Sequence, residues 1–181
     1  LVAAACLRAA DPGAAPRSAM EAVPDELQAD AAVTLGRLPN GLRYALRSQA
    51  VPPGRISLFL RLDVGSGQES EAELGYAHFV EHLAFAGARD FPGDGVIRAL
   101  QRYGLSFGAG INAATGRTYT VYEIRNLPAD DPAALATALR VLRNYADGLA
   151  FDPGAVERER GVILSERNVR AGRISYWWGR E

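Results

Sequence analysis

Two histidines four residues apart place the strongest constraint on this chain. His78 and His82 are its only histidines, and the sequence around them predicts a helix over roughly residues 74–87. Residues four apart lie one turn above each other on one helix face, and a residue at i+3 lies beside them, so Glu81 joins the two rings. Two imidazoles and a carboxylate at one place are the donors of a zinc site that carries its own general base. The pattern HxxEH is the reverse of the HExxH zinc motif.

A catalytic zinc ion needs a third protein ligand, and the carboxylates of the last predicted helix are the candidates. Cys6 is the only cysteine, so a thiolate cluster is excluded and the ligands must be nitrogen and oxygen. The last helix carries Glu157, Glu159 and Glu166. Glu157 is expected in solvent, because it lies off the stripe that helical spacing defines. That stripe consists of Val156, Glu159, Ile163 and Glu166.

The two carboxylates on the stripe have two interpretations. A carboxylate on an otherwise apolar face is costly unless it is paired or bound to a metal. Glu159 and Glu166 therefore either bind metal or form ion pairs with arginines such as Arg160 or Arg170 on an exposed face. The two histidines leave the third zinc ligand unassigned, and this favours metal binding over ion pairing for Glu159 and Glu166.

The order of predicted elements favours an α+β fold, with helices packed on one face of a largely antiparallel sheet. Two alternating runs around Asn40-Gly41 predict a β-hairpin over residues 33–47. Asp131-Pro132 and Asp152-Pro153 combine an N-cap acceptor with proline at N1, which predicts helices to about residues 148 and 170. Further strands are predicted at residues 56–64, 107–113 and 117–125, and a short helix at residues 94–103.

The composition is that of an ordinary globular domain, and the sequence argues against nucleic-acid binding and against a transmembrane helix. The 181 residues are 48% hydrophobic with a net charge of -1, which suits one principal core. No basic run or aromatic–basic interleaving indicates nucleic acid. No apolar run approaches the ~20 residues that a transmembrane helix needs.

Residues 1–32 are interpreted as a signal-peptide remnant followed by a linker, and residues 33–181 as the folded domain. The alanine-rich opening has small residues at cleavage-like spacing, and residues 11–30 are rich in proline and alanine. We therefore expect an exported protein. The alternative is an unstructured alanine-rich terminus without a targeting role.

Residues 75–87, GYAHFVEHLAFAG, resemble the signature of the pitrilysin, insulinase and mitochondrial processing peptidase family, the inverzincins. The resemblance covers roughly residues 33–173. Residues 107–113, FGAGINA, look most like the bacterial periplasmic members, which implies a periplasmic location. Four shorter motifs agree with the family in their order along the chain: residues 38–42 (LPNGL), 64–66 (VGS), 112–113 (NA) and 157–166 (ERERGVILSE).

The resemblance implies a zinc-dependent endopeptidase with one zinc ion per chain. His78 and His82 would be zinc ligands, and Glu81 would be the base that activates water. Glu166 would be the third ligand, with Glu159 as a supporting carboxylate. The implied substrate is a peptide or an unfolded protein.

The resemblance also implies a half-domain, incomplete at its C-terminus, that closes around substrate together with a second homologous domain or subunit. Substrate would dock as an added strand on a sheet edge, for which Asn112 and Ala113 are the matching positions. The alternative function is a non-catalytic partner or scaffold subunit of a processing-peptidase-like assembly. The intact zinc-site residues argue against that alternative.

Overall fold

The computed structural model describes residues 2–7 and 30–178, and within them the chain forms six strands and four α-helices. Short 3₁₀ turns at Ser66–Gln68 and Glu71–Glu73 precede the first helix. The strands are β1 (Val2–Leu7), β2 (Val33–Arg37), β3 (Arg43–Arg47), β4 (Arg55–Leu62), β5 (Ile111–Thr115) and β6 (Thr120–Pro128). The helices are α1 (Tyr76–Ala86), α2 (Gly95–Gln101), α3 (Pro132–Asp147) and α4 (Pro153–Trp178).

The strands form one sheet in the order β2-β3-β1-β4-β6-β5. Every neighbouring pair is antiparallel except β1 and β4, which are parallel. The α+β class with a largely antiparallel sheet is therefore confirmed. Strand β5 is the last in the order, so one of its edges has no neighbouring strand among the described residues.

The core lies between one face of the sheet and the helices. Strands β4 and β6 alternate buried and more exposed positions, as expected when one face is covered. Burying each large apolar side chain contributes about 1.5–3 kcal/mol. The sheet residues of this core include Leu58, Leu60, Tyr122 and Ile124, and its helix residues include Ala84, Val96, Ala138 and Val141.

Local signals in the sequence are confirmed at the hairpin and at both helix starts. Asn40 accepts a hydrogen bond from the Leu42 amide at 3.1 Å within the β2–β3 turn. Asp131 accepts from the amides of the first turn of α3, and Asp152 accepts from the Ala155 amide at 2.9 Å. Helix α4 continues to Trp178, beyond the expected end near residue 170.

The predicted strand at residues 107–113 was wrong in its position. Gly108 has φ +85, a left-handed conformation that breaks a strand, and the Gly110 amide donates to the Ser106 carbonyl at 2.8 Å. The glycines therefore form a turn, and the strand starts only at Ile111.

The structure also differs from the sequence-based expectation at residues 2–7, which were assigned to a signal-peptide remnant outside the folded domain. These residues form β1, which lies between β3 and β4 in the sheet. The uncharged sequence VAAACL suits a central strand, which has neighbours on both edges. The rest of the expected linker, residues 8–29, lies outside the described residues, and the export role stays a prediction.

In the part of the chain that the structure describes, none of the helices combines the length and apolar character that a bilayer crossing requires.

Candidate metal centre

Helix α1 carries the HxxEH residues, and a carboxylate outside the helix fixes its first turn. Glu69 accepts hydrogen bonds from the Gly75 amide at 2.8 Å and the Ala77 amide at 2.7 Å. These amides are among the donors that a helix N-terminus leaves without an intrahelical partner. The helix packs against β5 and α4, so the first turn enters the site in a defined orientation.

The two histidines lie on one face of α1, as their spacing predicted. Their rings meet edge to face, with centroids 4.8 Å apart. Glu166, from α4, lies across from both: its Oε2 is 3.7 Å from His78 Nε2, and its Oε1 is 3.7 Å from His82 Nε2. One ligand atom from each of these three residues lies within 4.8 Å of the other two.

These distances fit a shared metal ion. A separation of 3.7 Å between ring nitrogen and carboxylate oxygen is longer than a hydrogen bond. It is close to the ~3.4 Å between neighbouring ligands of tetrahedral zinc, given zinc–ligand bonds of ~2.0–2.1 Å. Two imidazoles and one carboxylate are also a donor set that zinc uses in catalytic sites. The two nitrogen–oxygen distances and the donor set are therefore compatible with zinc.

Glu159 contacts the far side of the His82 ring, where its Oε2 lies 3.3 Å from His82 Nδ1. When Nδ1–H donates to that carboxylate, the lone pair of Nε2 is left on the side of Glu166. Glu157, in contrast, is exposed and lies 3.8 Å from Arg160. Arg160, one of the arginines considered as a partner of Glu159 and Glu166, thus lies beside Glu157.

Glu81, which precedes His82 on α1, is buried, with 8% of the residue exposed. The hydroxyl of Thr115, the last residue of β5, donates to Glu81 Oε2 at 2.5 Å. Tyr122 lies in the same buried region. Burial raises the pKa of Tyr122, and the negative charge of Glu81 raises it further. The phenol therefore stays neutral beside the carboxylate.

Asn112 and Ala113, the expected docking positions, lie on the edge strand β5. Asn112 and Ala114 are exposed, whereas Ala113 and Thr115 are partly buried on the opposite face. Ala113 packs against the core. Strand β5 also contacts α1, the helix that carries the two histidines.

Three residues of this region were not predicted from the sequence: Glu69, Thr115 and Tyr122. Thr115 had a usable signal, because it is two residues beyond Ala113 and a strand places such residues on one face. Glu69 is one of several acidic residues before α1, and only the folded loop distinguishes it from the others. Tyr122 follows the alternation of β6, which predicts burial but not its neighbour.

The chain matches a known protein family and several longer relatives over most of its length. Residues 47–172 match the family model described as Insulinase (Peptidase family M16). The chain is 38% identical over 140 residues to "Probable zinc protease PqqL" of Escherichia coli strain K12, covering 77% of this chain and 15% of that protein. It is 35% identical over 140 residues to cytochrome b-c1 complex subunit 1, mitochondrial, of Bos taurus, covering 77% and 27%.

A solved structure supports the same relationship. The crystal structure of the periplasmic protease PqqL from Escherichia coli aligns with a TM-score of 0.75 at 37% identity, covering 78% of this chain and 16% of that chain. This chain thus spans less than a third of the length of these relatives. The family model covers well over half of the chain, and the fold agrees with it. The chain belongs to the insulinase family, peptidase family M16.

Proposed function

We propose that this chain is the N-terminal metal-binding domain of a zinc-dependent endopeptidase, holding one zinc ion through His78, His82 and Glu166. The observation that carries the proposal is the convergence of these three ligand atoms within 4.8 Å. The name of the relative from Escherichia coli, a probable zinc protease, supports the same metal and the same class of reaction.

In this proposal Glu81 is the general base. Zinc bound by the three residues would supply a Lewis acid and a water molecule of lowered pKa. Glu81 accepts the proton of the attacking water and then passes it to the leaving amine of the cleaved peptide bond. Glu159 acts through His82, holding Nδ1–H so that Nε2 keeps its lone pair.

The outer edge of β5 receives the substrate as an added strand. Backbone amides and carbonyls at this edge bind an extended peptide whatever its sequence, which suits a peptide or an unfolded protein. Asn112 and Ala113 lie on that edge, and Thr115 at its end contacts Glu81. A peptide docked along β5 would therefore lie close to α1 and to Glu81.

The proposed catalytic unit is larger than this chain. The relatives are several times longer, and we infer that a second homologous domain or subunit closes the cleft over the substrate. In this proposal the catalytic half-domain consists of residues 33–181 together with residues 2–7, which form β1 between β3 and β4 and therefore do not act as a removed leader. Residues 8–32 connect β1 to β2. The periplasmic location of PqqL supports export.

A non-catalytic partner subunit is the second candidate function. The relative named as a subunit of the cytochrome b-c1 complex favours it. The presence of His78, His82, Glu166 and a buried Glu81 together favours catalysis instead.

Metal analysis and peptidase assays test the proposal. The purified chain should hold about one zinc ion, Glu166→Gln should lose most of it, and Glu81→Gln should retain it. Glu157→Gln is the matched control on the same helix and should keep zinc. Cleavage of an unstructured peptide, measured in the natural-length protein, should be abolished by Glu81→Gln. Zinc retained in Glu166→Gln would refute the ligand assignment, and zinc without cleavage in the wild-type protein would favour the subunit role.

A further inference from the structure

The contact between Thr115 and Glu81 joins the docking edge to the proposed base. The Thr115 hydroxyl donates to Glu81 Oε2 at 2.5 Å, the length of a charge-assisted O–H···O⁻ bond. The base is buried, so this hydroxyl is positioned where a hydrogen bond is strong and its loss is costly.

The backbone of Thr115 is held in place by its neighbours. Thr115 pairs with Thr120 of β6, and the Gly116 carbonyl that follows accepts from the Ser66 amide at 3.0 Å. A threonine side chain is also stiff at χ1, because its β-carbon is branched. The hydroxyl is therefore a fixed donor, held by the sheet and by the loop before α1.

A fixed donor determines how a glutamate carboxylate is oriented. The last torsion of a glutamate side chain has broad minima, so an unrestrained carboxylate rotates easily. With Oε2 of Glu81 bound to Thr115, rotation is restricted and Oε1 is left to take the proton. This restraint matters for proton transfer, since a misplacement of about 1 Å can cost roughly 100-fold in rate.

We propose that Thr115 is a positioning residue that orients the carboxylate of Glu81 from the end of the substrate-docking strand. The proposal rests on the proposed function, because Glu81 has to be the base for its orientation to affect catalysis. A peptide added to β5 then binds the same strand that holds the base, so docking and base alignment share one rigid element.

Thr115→Val tests the hydroxyl, because valine keeps the shape and removes the donor. In the natural-length protein we expect kcat to fall roughly 10- to 100-fold, with KM within about twofold and zinc content unchanged. Thr115→Ser restores the donor and should recover most of kcat. Thr118→Val, in the exposed β5–β6 turn, is the matched control and should leave kcat unchanged. Wild-type kcat in Thr115→Val, or a loss explained by KM or by zinc release, would overturn the proposal.

A second measurement needs neither zinc nor turnover. In the metal-free chain, Thr115→Val should lower the unfolding midpoint by several degrees, and Thr115→Ser should lower it less. In a Glu81→Ala background the same valine substitution should have little effect, because its partner is gone. If Thr115→Val lowers the unfolding midpoint equally in both backgrounds, Thr115 and Glu81 do not interact and the proposal is refuted. If the coupling is present while the wild-type protein neither binds zinc nor cleaves, the proposed function fails and the contact stands.

Discussion

Replacing Glu69 with glutamine tests whether one side chain outside α1 holds the helix that carries the candidate zinc ligands. The carboxylate of Glu69 accepts from two backbone amides, those of Gly75 and Ala77, at 2.8 and 2.7 Å. Gly75 is the N-cap residue and supplies no side-chain cap of its own. Glu69→Gln keeps one acceptor oxygen, replaces the other with an NH₂ group and removes the negative charge.

The expected loss follows from these contacts. A hydrogen bond to a charged group contributes about 1.5–3 kcal/mol, and a negative charge at a helix N-terminus contributes about 0.3–1 kcal/mol. Glu69 is partly exposed, so the lower ends apply, and glutamine retains one of the two bonds. We expect Glu69→Gln to lower the free energy of unfolding by about 1–2 kcal/mol. For a chain of this size that lowers the unfolding midpoint by roughly 2–8 °C.

Thermal unfolding of the metal-free chain, followed by circular dichroism, measures the effect without any contribution from zinc. Glu71→Gln is the control, because it makes the same charge change at an exposed position in the same acidic loop. If the two variants unfold at the same temperature, the bonds from Glu69 do not stabilise α1 and the reasoning is refuted.

Three further substitutions concern the core, the loop before α1 and helix α4. The Tyr145 hydroxyl is buried with no hydrogen-bond partner among the described residues, so Tyr145→Phe should stabilise the chain by about 1 kcal/mol in urea unfolding at pH 7. Burial raises the pKa of Tyr145 well above its usual value, with Tyr122 adding to the effect. A tyrosine in the unfolded chain ionises with a pKa of about 10. The folded protein therefore loses stability as the pH rises above that value, because only the unfolded chain can ionise this phenol easily. Tyr145→Phe should reduce this loss of stability at alkaline pH. A Cβ on Gly65 would lie 2.3 Å from the Gly116 carbonyl oxygen, so Gly65→Ala should destabilise by about 1–3 kcal/mol, whereas Gly161→Ala, in open space within α4, should stabilise by about 0.5–1 kcal/mol.

Each of these predictions can fail on its own. A less stable Tyr145→Phe would mean that its hydroxyl has a partner in solution. Tyr103→Phe is the comparison, because the Tyr103 hydroxyl lies 3.2 Å from Thr137 Oγ1 and its loss should destabilise. A Gly65→Ala variant as stable as the wild type would show that the loop can move away from the β5–β6 turn.

The parts of the site that lie on helices could be predicted from the sequence because helical periodicity fixes relative direction over short distances. The i, i+4 spacing of His78 and His82 placed both rings on one face. The structure also agrees with the stripe predicted on α4, because Glu159 and Glu166 are partly buried, whereas Glu157 is exposed. Which carboxylate faces which histidine was not available from spacing, because it depends on how two distant helices pack.

Loops and strand boundaries were harder for a different reason. Apolar and glycine residues at 107–110 alternate as a strand does, but the backbone turn at Gly108 moved the start of β5 to Ile111. The role of Glu69 depends on where a loop returns to the helix, and no local pattern encodes that return. Strand β1 shows the same limit, because its place between β3 and β4 is set by pairing across the sheet.

The division of the candidate zinc ligands between α1 and α4 gives a bound ion a mechanical role. His82 and Glu166 are separated by a chain segment of roughly 80 residues that contains β5, β6, α2 and α3. An ion bound to both residues would join the two ends of this segment as a reversible cross-link. Part of the binding free energy is then used to dock α4, so metal affinity and the order of α4 are linked. The two histidines, by contrast, belong to a single helix packed on the sheet. Loss of the ion should therefore loosen α4 first, while α1 keeps two of the three ligands assembled for rebinding.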